Sequence, residues 1–101
     1  MVVSSQLQQD SKLLTIQIVG KFDFGCHQQF RQQYEECDGE KMQFAVDLSE
    51  TTYMDSSALG MLLLLRDHAG GELSSIQIIN ANSDIRQILK ISNFHQLFQI
   101  D

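Results

Sequence analysis

The sequence contains no proline and no tryptophan, and only 2 of its 101 residues are cysteine. No repeat or low-complexity tract interrupts it, so we find no linker and predict one domain over residues 1–101. The longest apolar run, residues 61–65, is far shorter than the roughly 18 residues that a membrane helix needs. The N-terminal residues lack the basic region and apolar segment of a signal peptide. We therefore expect no membrane insertion and a cytoplasmic location.

Basic side chains are also scarce. The chain has 7 lysines and arginines against 13 aspartates and glutamates, which gives a formal net charge of −6. A nucleic-acid ligand selects a basic surface, so this balance argues against DNA or RNA as a partner. The acidity suits a protein partner with a basic contact surface, but it does not identify one.

The two cysteines, Cys26 and Cys37, fall on one predicted helix, eleven positions apart. At a rise of ~1.5 Å per residue, their Cα atoms would lie about 16 Å apart. A disulfide tolerates a separation of roughly 7 Å. We therefore expect two buried thiols in a reducing compartment, which agrees with a cytoplasmic location.

The patterns of common catalytic and metal sites are missing. His27, His68 and His95 lie in three different predicted segments and follow no zinc-ligand spacing, so we interpret them as structural or surface residues. The chain has no glycine-rich phosphate loop, and Ser57 does not lie in a Gly-x-Ser-x-Gly elbow. The sequence therefore predicts neither an enzyme nor a metal or cofactor site.

Strand and helix patterns alternate along the chain. The predicted strands cover residues 2–8, 13–19, 43–48 and 75–79, with a last short strand or apolar tail at 97–100. The predicted helices cover residues 24–37 and 57–69, and a third begins at residues 82–84. The order predicts an α/β domain in which an N-terminal antiparallel hairpin and later parallel strands form a mixed sheet. Helices must cover such a sheet to bury its apolar side chains.

The most informative segment is residues 53–60, Tyr-Met-Asp-Ser-Ser-Ala-Leu-Gly, between the third strand and the second helix. Asp55, Ser56 and Ser57 would lie at the helix N-terminus, where backbone N–H groups lack intrahelical partners and the dipole favours negative charge. One interpretation is helix capping alone, because these side chains accept hydrogen bonds from such groups. The other is a modifiable serine, because a phosphate here would be tolerated by the fold and would change the surface sharply.

This segment resembles the signature of STAS domains, the family of anti-sigma factor antagonists and their relatives. Residues 55–60, Asp-Ser-Ser-Ala-Leu-Gly, match the family's phosphorylation loop, with Ala58 where glycine is common. Residues 20–23, Gly-Lys-Phe-Asp, resemble the family's turn after the second strand. The resemblance covers nearly the whole chain in element order, and it implies a STAS fold with Ser57 as the phosphoacceptor. Ser56 is the second candidate, since both hydroxyls lie in the same loop.

The resemblance implies an anti-sigma factor antagonist. In its unphosphorylated form it would bind a kinase-type anti-sigma factor and so free a sigma factor. That serine kinase would end the binding by phosphorylating Ser57, and a PP2C-type phosphatase would restore it. Asp23 and Asp55 would support the loop by orienting the hydroxyl, or would serve only as caps. The alternative is a STAS adaptor subunit of an ABC-type lipid transport complex.

The predicted partner surface combines the loop, the turn beside it and the following helix. That helix is apolar on nearly every side, which indicates deep burial or a partner that covers one face, and an exposed apolar face would support a weak homodimer. The predicted contact residues are Phe22, Phe24, Thr51, Tyr53, Met54, Ser56, Leu59, Leu63 and Arg66.

Overall fold

The computed structural model describes residues 2–101, and within them six strands form one mixed sheet accompanied by three α-helices. The strands are β1 (Val2–Gln8), β2 (Leu13–Phe22), β3 (Gln43–Asp47), β4 (Thr51–Met54), β5 (Ile76–Ile79) and β6 (Gln99–Ile100). The helices are α1 (His27–Tyr34), α2 (Ser56–His68) and α3 (Ser83–Ile91). The predicted fold class, an α/β domain with a mixed sheet, is confirmed.

The sheet begins with the predicted antiparallel hairpin. β1 pairs with β2 over seven residues of regular register, from Val2 opposite Val19 to Gln8 opposite Leu13. The remaining neighbours are parallel, and the main order of the sheet is β1-β2-β3-β5-β6. β4 lies off this path and pairs with the far end of β2, beyond the residues that pair with β3.

One face of the sheet is apolar and carries the core. Ile16 and Ile18 of β2 are fully buried, as is Val46 of β3, and they pack in one cluster with side chains from the helices. The alternate positions, such as Gln17 and Asp47, point to the other face and remain partly exposed. This alternation is the period-2 pattern of a sheet that buries one face.

The structure corrects three sequence predictions. The first helix is shorter than residues 24–37, because a 3₁₀ turn (Phe24–Cys26) precedes α1 and the chain leaves the helix after Tyr34. Cys26 and Cys37 therefore lie outside α1, and only Cys26 is buried, whereas Cys37 is half-buried. β4 was predicted as loop. It forms because β2 continues to Phe22 and its edge there needs hydrogen-bonding partners.

α2 ends at His68, close to the predicted end of the second helix at residue 69. Ala69 is the C-terminal cap, and Gly70 follows with φ of 108°, in the left-handed region that glycine adopts without steric cost. α2 thereby ends where the chain turns back toward β5.

Candidate functional site

Two aspartates are brought together by the pairing of β2 with β4. Phe22 and Met54 are register partners at the ends of these parallel strands. Asp23 and Asp55 are the next residues, so both carboxylates follow the C-terminal ends of neighbouring strands, at the same end of the sheet. Carboxyl ends of parallel strands are where α/β proteins place their functional groups.

Each of the two carboxylates caps a helical segment. Asp23 Oδ1 accepts a hydrogen bond from the Gly25 backbone N–H at 2.9 Å. Asp55 Oδ1 accepts one from the Ala58 backbone N–H at 3.2 Å and is the N-cap of α2. The capping interpretation of both residues is therefore confirmed, and it accounts for their conformation without any partner.

The two serines occupy the first turn of α2. With Asp55 as the N-cap, Ser56 and Ser57 are the first and second helical residues. Ser56 is exposed and Ser57 is half-buried. Both hydroxyls thus lie where the helix dipole favours negative charge, and Ser56 is the more accessible of the two.

Exposed aromatic side chains lie close to the two aspartates in the sequence, Phe24 directly after Asp23 and Tyr53 two residues before Asp55. Phe24 is 69% exposed and Tyr53 is 47% exposed. The Phe24 ring stacks on the His27 imidazole, with centroids 5.3 Å apart and planes inclined by 16°. Large aromatic side chains held at the surface are typical of protein contact sites.

Three of the predicted contact residues belong to the core. Phe22, Thr51 and Met54 are buried, so their side chains are removed from the predicted partner surface. Thr51 Oγ1 donates a hydrogen bond to the Ile18 carbonyl oxygen at 2.8 Å. These residues hold β4 against β2 and in this way position Asp23 and Asp55.

The outer side of α2 extends the exposed surface. Leu63 is exposed as predicted, Leu59 and Arg66 are half-buried, and Arg66 Nε is buried without a hydrogen-bond partner within residues 2–101. The sequence prediction missed Leu64, which is 51% exposed. The run of four leucines was the available signal, since a helix that buries one side cannot bury four consecutive residues.

Cys26 lies three residues after Asp23 and is buried. Its thiol donates a hydrogen bond to the Lys21 carbonyl oxygen at 3.1 Å. Burial raises the pKa of the Cys26 thiol, and the negative charges of Asp23 and Asp55 act in the same direction.

The N-terminus of α3 lies at the same end of the sheet, and the sequence did not predict it as part of the site. Asn82 is the N-cap of α3, and its side-chain oxygen accepts a hydrogen bond from the Ile85 N–H at 2.9 Å. Its Nδ2 donates to the Thr51 carbonyl oxygen at 3.4 Å, which ties α3 to β4. The sequence predicted a helix start at residues 82–84, but the contact with β4 depends on tertiary structure.

Within residues 2–101, no group of three or more His, Cys, Asp or Glu side chains is placed to hold a metal ion. In the same part of the chain, no helix is long and apolar enough to cross a membrane. The candidate site is made up of capping carboxylates, serine hydroxyls and exposed apolar side chains.

Comparisons with known proteins agree with this architecture. The sequence is 54% identical over 100 residues to a STAS-domain containing protein of Pseudomonas aeruginosa strain UCBPP-PA14, and the match covers 99% of both chains. The fold is similar to that of the anti-sigma factor antagonist SpoIIAA in its unphosphorylated form, with a TM-score of 0.76 and 15% identity over 99% of this chain and 87% of that one. The phosphorylated form of the Bacillus cell fate determinant SpoIIAA gives a TM-score of 0.73 and 14% identity over 99% and 91% of the two chains.

The family comparison covers almost the whole chain. The family described as "Mlab, STAS domain" matches residues 5–99. This range contains the paired aspartates, both serines of α2 and every strand except the first residues of β1 and the last residue of β6. The chain therefore belongs to the STAS domain family.

Proposed function

We propose that this protein is an anti-sigma factor antagonist whose binding to a kinase-type anti-sigma factor is switched by phosphorylation at the start of α2. The observation that carries the proposal is the pair of serines in the first turn of α2, directly after Asp55, which follows the strand end paired with the one before Asp23. Exposed Phe24 and Tyr53 lie within two residues of these aspartates in the sequence. The likeness to SpoIIAA, which has been solved with and without phosphate, supports it. In this scheme the protein acts in the cytoplasm as the substrate of the kinase and is not itself an enzyme.

The physical basis of the switch is local. A phosphate adds roughly −1.5 to −2 charges at neutral pH. The helix end compensates only ~0.3–1 kcal/mol of this, and Asp23 and Asp55 repel the new charge. In the unbound protein, water screens the phosphate. In the complex, the phosphate would lose water against a surface shaped for a hydroxyl, at a cost of several kcal/mol.

Two observations bear on which serine accepts the phosphate, and they favour different residues. The family resemblance assigns Ser57. Exposure favours Ser56, because a kinase must reach the hydroxyl and Ser57 is half-buried. We propose that the phosphate is carried by one serine of this pair and that a PP2C-type phosphatase removes it.

Phosphosite mapping by mass spectrometry tests the first half of the proposal. The wild-type protein and the Ser56→Ala and Ser57→Ala variants are isolated from native cells. We expect phosphate on one of the two serines, lost in the matching variant only. Phosphate on neither serine under any growth condition would contradict the switch.

Calorimetric titration with the cognate kinase-type anti-sigma factor tests the second half. We expect Ser56→Asp or Ser57→Asp at the mapped acceptor to weaken binding at least about tenfold, a loss of ~1.4 kcal/mol. Ser83→Asp is the matched control, because it adds the same charge to the first turn of α3. Equal affinities for all variants, or stable capture of an ABC-type ATPase instead, would refute the proposed function.

A further inference from the structure

The outer edge of β1 is an unprotected sheet edge. Within residues 2–101, β1 pairs only with β2, so the other side of its backbone has no strand neighbour. β1 reads Val-Val-Ser-Ser-Gln-Leu-Gln, with no charged residue and no proline, and its register with β2 shows no bulge. Proteins usually protect a sheet edge with a charged residue, a proline or a bulge, or they keep the edge strand short.

The opposite edge of the sheet shows the contrast. β6 is the edge strand there and has two residues, against seven in β1. A two-residue edge offers little backbone for a further strand to pair with. The openness of β1 is therefore a specific feature of one side of the molecule.

Side chains on β1 are self-complementary. Val3 and Leu7 point to the core face, because they lie opposite Ile18 and Leu14 of β2, which are buried. Val3 is 9% exposed, whereas Leu7 is 47% exposed. If a second β1 pairs antiparallel over its full length, Val2 faces Gln8 and Ser5 faces its own copy. In that register each Leu7 lies opposite the Val3 of the other chain, and both side chains are on the core face of the joined sheet.

We propose that two copies of this chain associate through their β1 strands and form one continuous antiparallel sheet across a two-fold axis at Ser5. The edge favours its own copy because no charge on β1 is brought against a like charge, and because Leu7 gains an apolar neighbour. The net charge of −6 comes from residues outside β1, and the repulsion it causes is largely screened beyond about 10 Å at 0.1 M salt. A closed two-fold pair also consumes the edge, so association stops at the dimer.

The dimer is expected to be weak and independent of the α2 site. One strand pair buries less surface than the ~1,600 Å² of a standard interface, so we expect a dissociation constant above about 10 µM. The pairing uses neither the aspartates nor the serines of the site. It therefore goes beyond the proposed function, and a failure of either proposal leaves the other intact.

Sedimentation velocity over a concentration series tests the dimer. Wild-type protein is measured from about 10 µM to 1 mM, a range set by the expected weakness of a small interface. We expect Ser5→Lys to weaken dimerisation at least about tenfold, because two lysines would then face each other across the axis. Ser11→Lys adds the same charge in the β1–β2 turn and should leave dimerisation unchanged. A monomer throughout the range, or equal effects of both substitutions, would overturn the proposal.

A cross-linking experiment tests the register directly. In a Cys37→Ser background, Ser5→Cys places two thiols opposite each other with Cα atoms ~4.5–5.5 Å apart, which is within disulfide range. We expect covalent dimers on mild oxidation for Ser5→Cys and none for Ser11→Cys. Thermal melts check that each variant folds, since Ser5 Oγ donates a surface hydrogen bond to Gln33 Oε1. A dimer that Ser5→Cys does not trap would show that another surface is used.

Discussion

α2 and α3 begin in nearly the same way. Asp55 and Asn82 are the N-caps, and each accepts a hydrogen bond from the backbone N–H three residues later. A serine follows each cap, and both Ser56 and Ser83 are exposed. The local structure of the two helix starts is therefore explained by the same capping chemistry.

The surroundings of the two helix starts differ. The α2 start follows the strand pairing that brings Asp55 beside Asp23, and exposed Phe24 and Tyr53 lie within two residues of these aspartates in the sequence. The α3 start has an acidic residue, Asp84, where α2 has Ser57, and it is tied to β4 through Asn82. A capping sequence is thus a poor guide to function by itself, because function depends on what the sheet places around it.

The largest expected effect concerns the core anchors of the two helices. Leu62 of α2 and Leu89 of α3 are both fully buried. Leu62→Ala and Leu89→Ala should each lower the free energy of unfolding by ~2–5 kcal/mol, because each leaves a cavity. Urea denaturation measures this. Leu73→Ala is the control, since Leu73 is almost fully exposed and its truncation should have little effect. A small loss at only one helix would show that this helix is dispensable to the core.

The caps should have a smaller effect. Asp55→Ala and Asn82→Ala should each cost ~1 kcal/mol of unfolding free energy, with Asn82→Ala the larger because its bond to the Thr51 carbonyl is also lost. Asp55→Asn and Asn82→Asp retain the capping oxygen and serve as controls in the same denaturation experiment. Asn82→Asp also removes the Nδ2 donor to the Thr51 carbonyl, so it should recover only the capping part of the loss. Equal losses for the alanine and the conservative variants would show that capping is not the stabilising role.

Charge in the first turn should have a smaller effect still. Ser56→Asp and Ser83→Asp should each change the free energy of unfolding by less than ~1 kcal/mol, because the gain from the helix dipole is offset by a neighbouring carboxylate. Thermal melts of the two variants measure this difference. Unfolding by Ser56→Asp alone would mean that a charge at α2 acts through the fold, against the local switch proposed above.

The two cysteine thiols can be used to probe the region around the α2 site. The raised pKa of Cys26 has no effect on stability at neutral pH. Cys26 is buried with a raised pKa, so at pH values near and above its ordinary 9.0 it should stay protonated in the folded chain and ionise in the unfolded one. Stability should therefore fall as the pH rises past that value.

In thiol-labelling assays, half-buried Cys37 should react first and Cys26 only after urea unfolding. Rapid native labelling of Cys26 would mean that the α2 site opens readily.

Much of the fold followed from local patterns. The β1–β2 hairpin, β3, β5, α2 and α3 lie within a few residues of their predicted positions. β4 was missed because its four residues show no alternation, with Thr51 and Met54 buried and the two between them exposed. It exists because β2 extends beyond β3 and offers an unpaired edge.

The sequence predicted where the polar residues of the candidate site lie, but it was wrong about the exposure of some of its apolar residues. Asp23, Asp55 and the two serines lie where capping chemistry places them, at the starts of helical segments. Phe22 and Met54 were expected at the surface, although they are strand residues that point into the core. Leu64 was missed because a helix that is apolar all round does not show which side is buried.

The sequence by itself determined the elements, their caps and the side of each strand that is apolar, because these depend on residues a few positions apart. Tertiary structure alone decided that Phe22 lies beside Met54, 32 positions later in the chain, and so that Asp23 neighbours Asp55. It also decided that β1 is an open edge. Such pairings depend on how the whole chain closes on its core, and the pattern within one segment does not contain them.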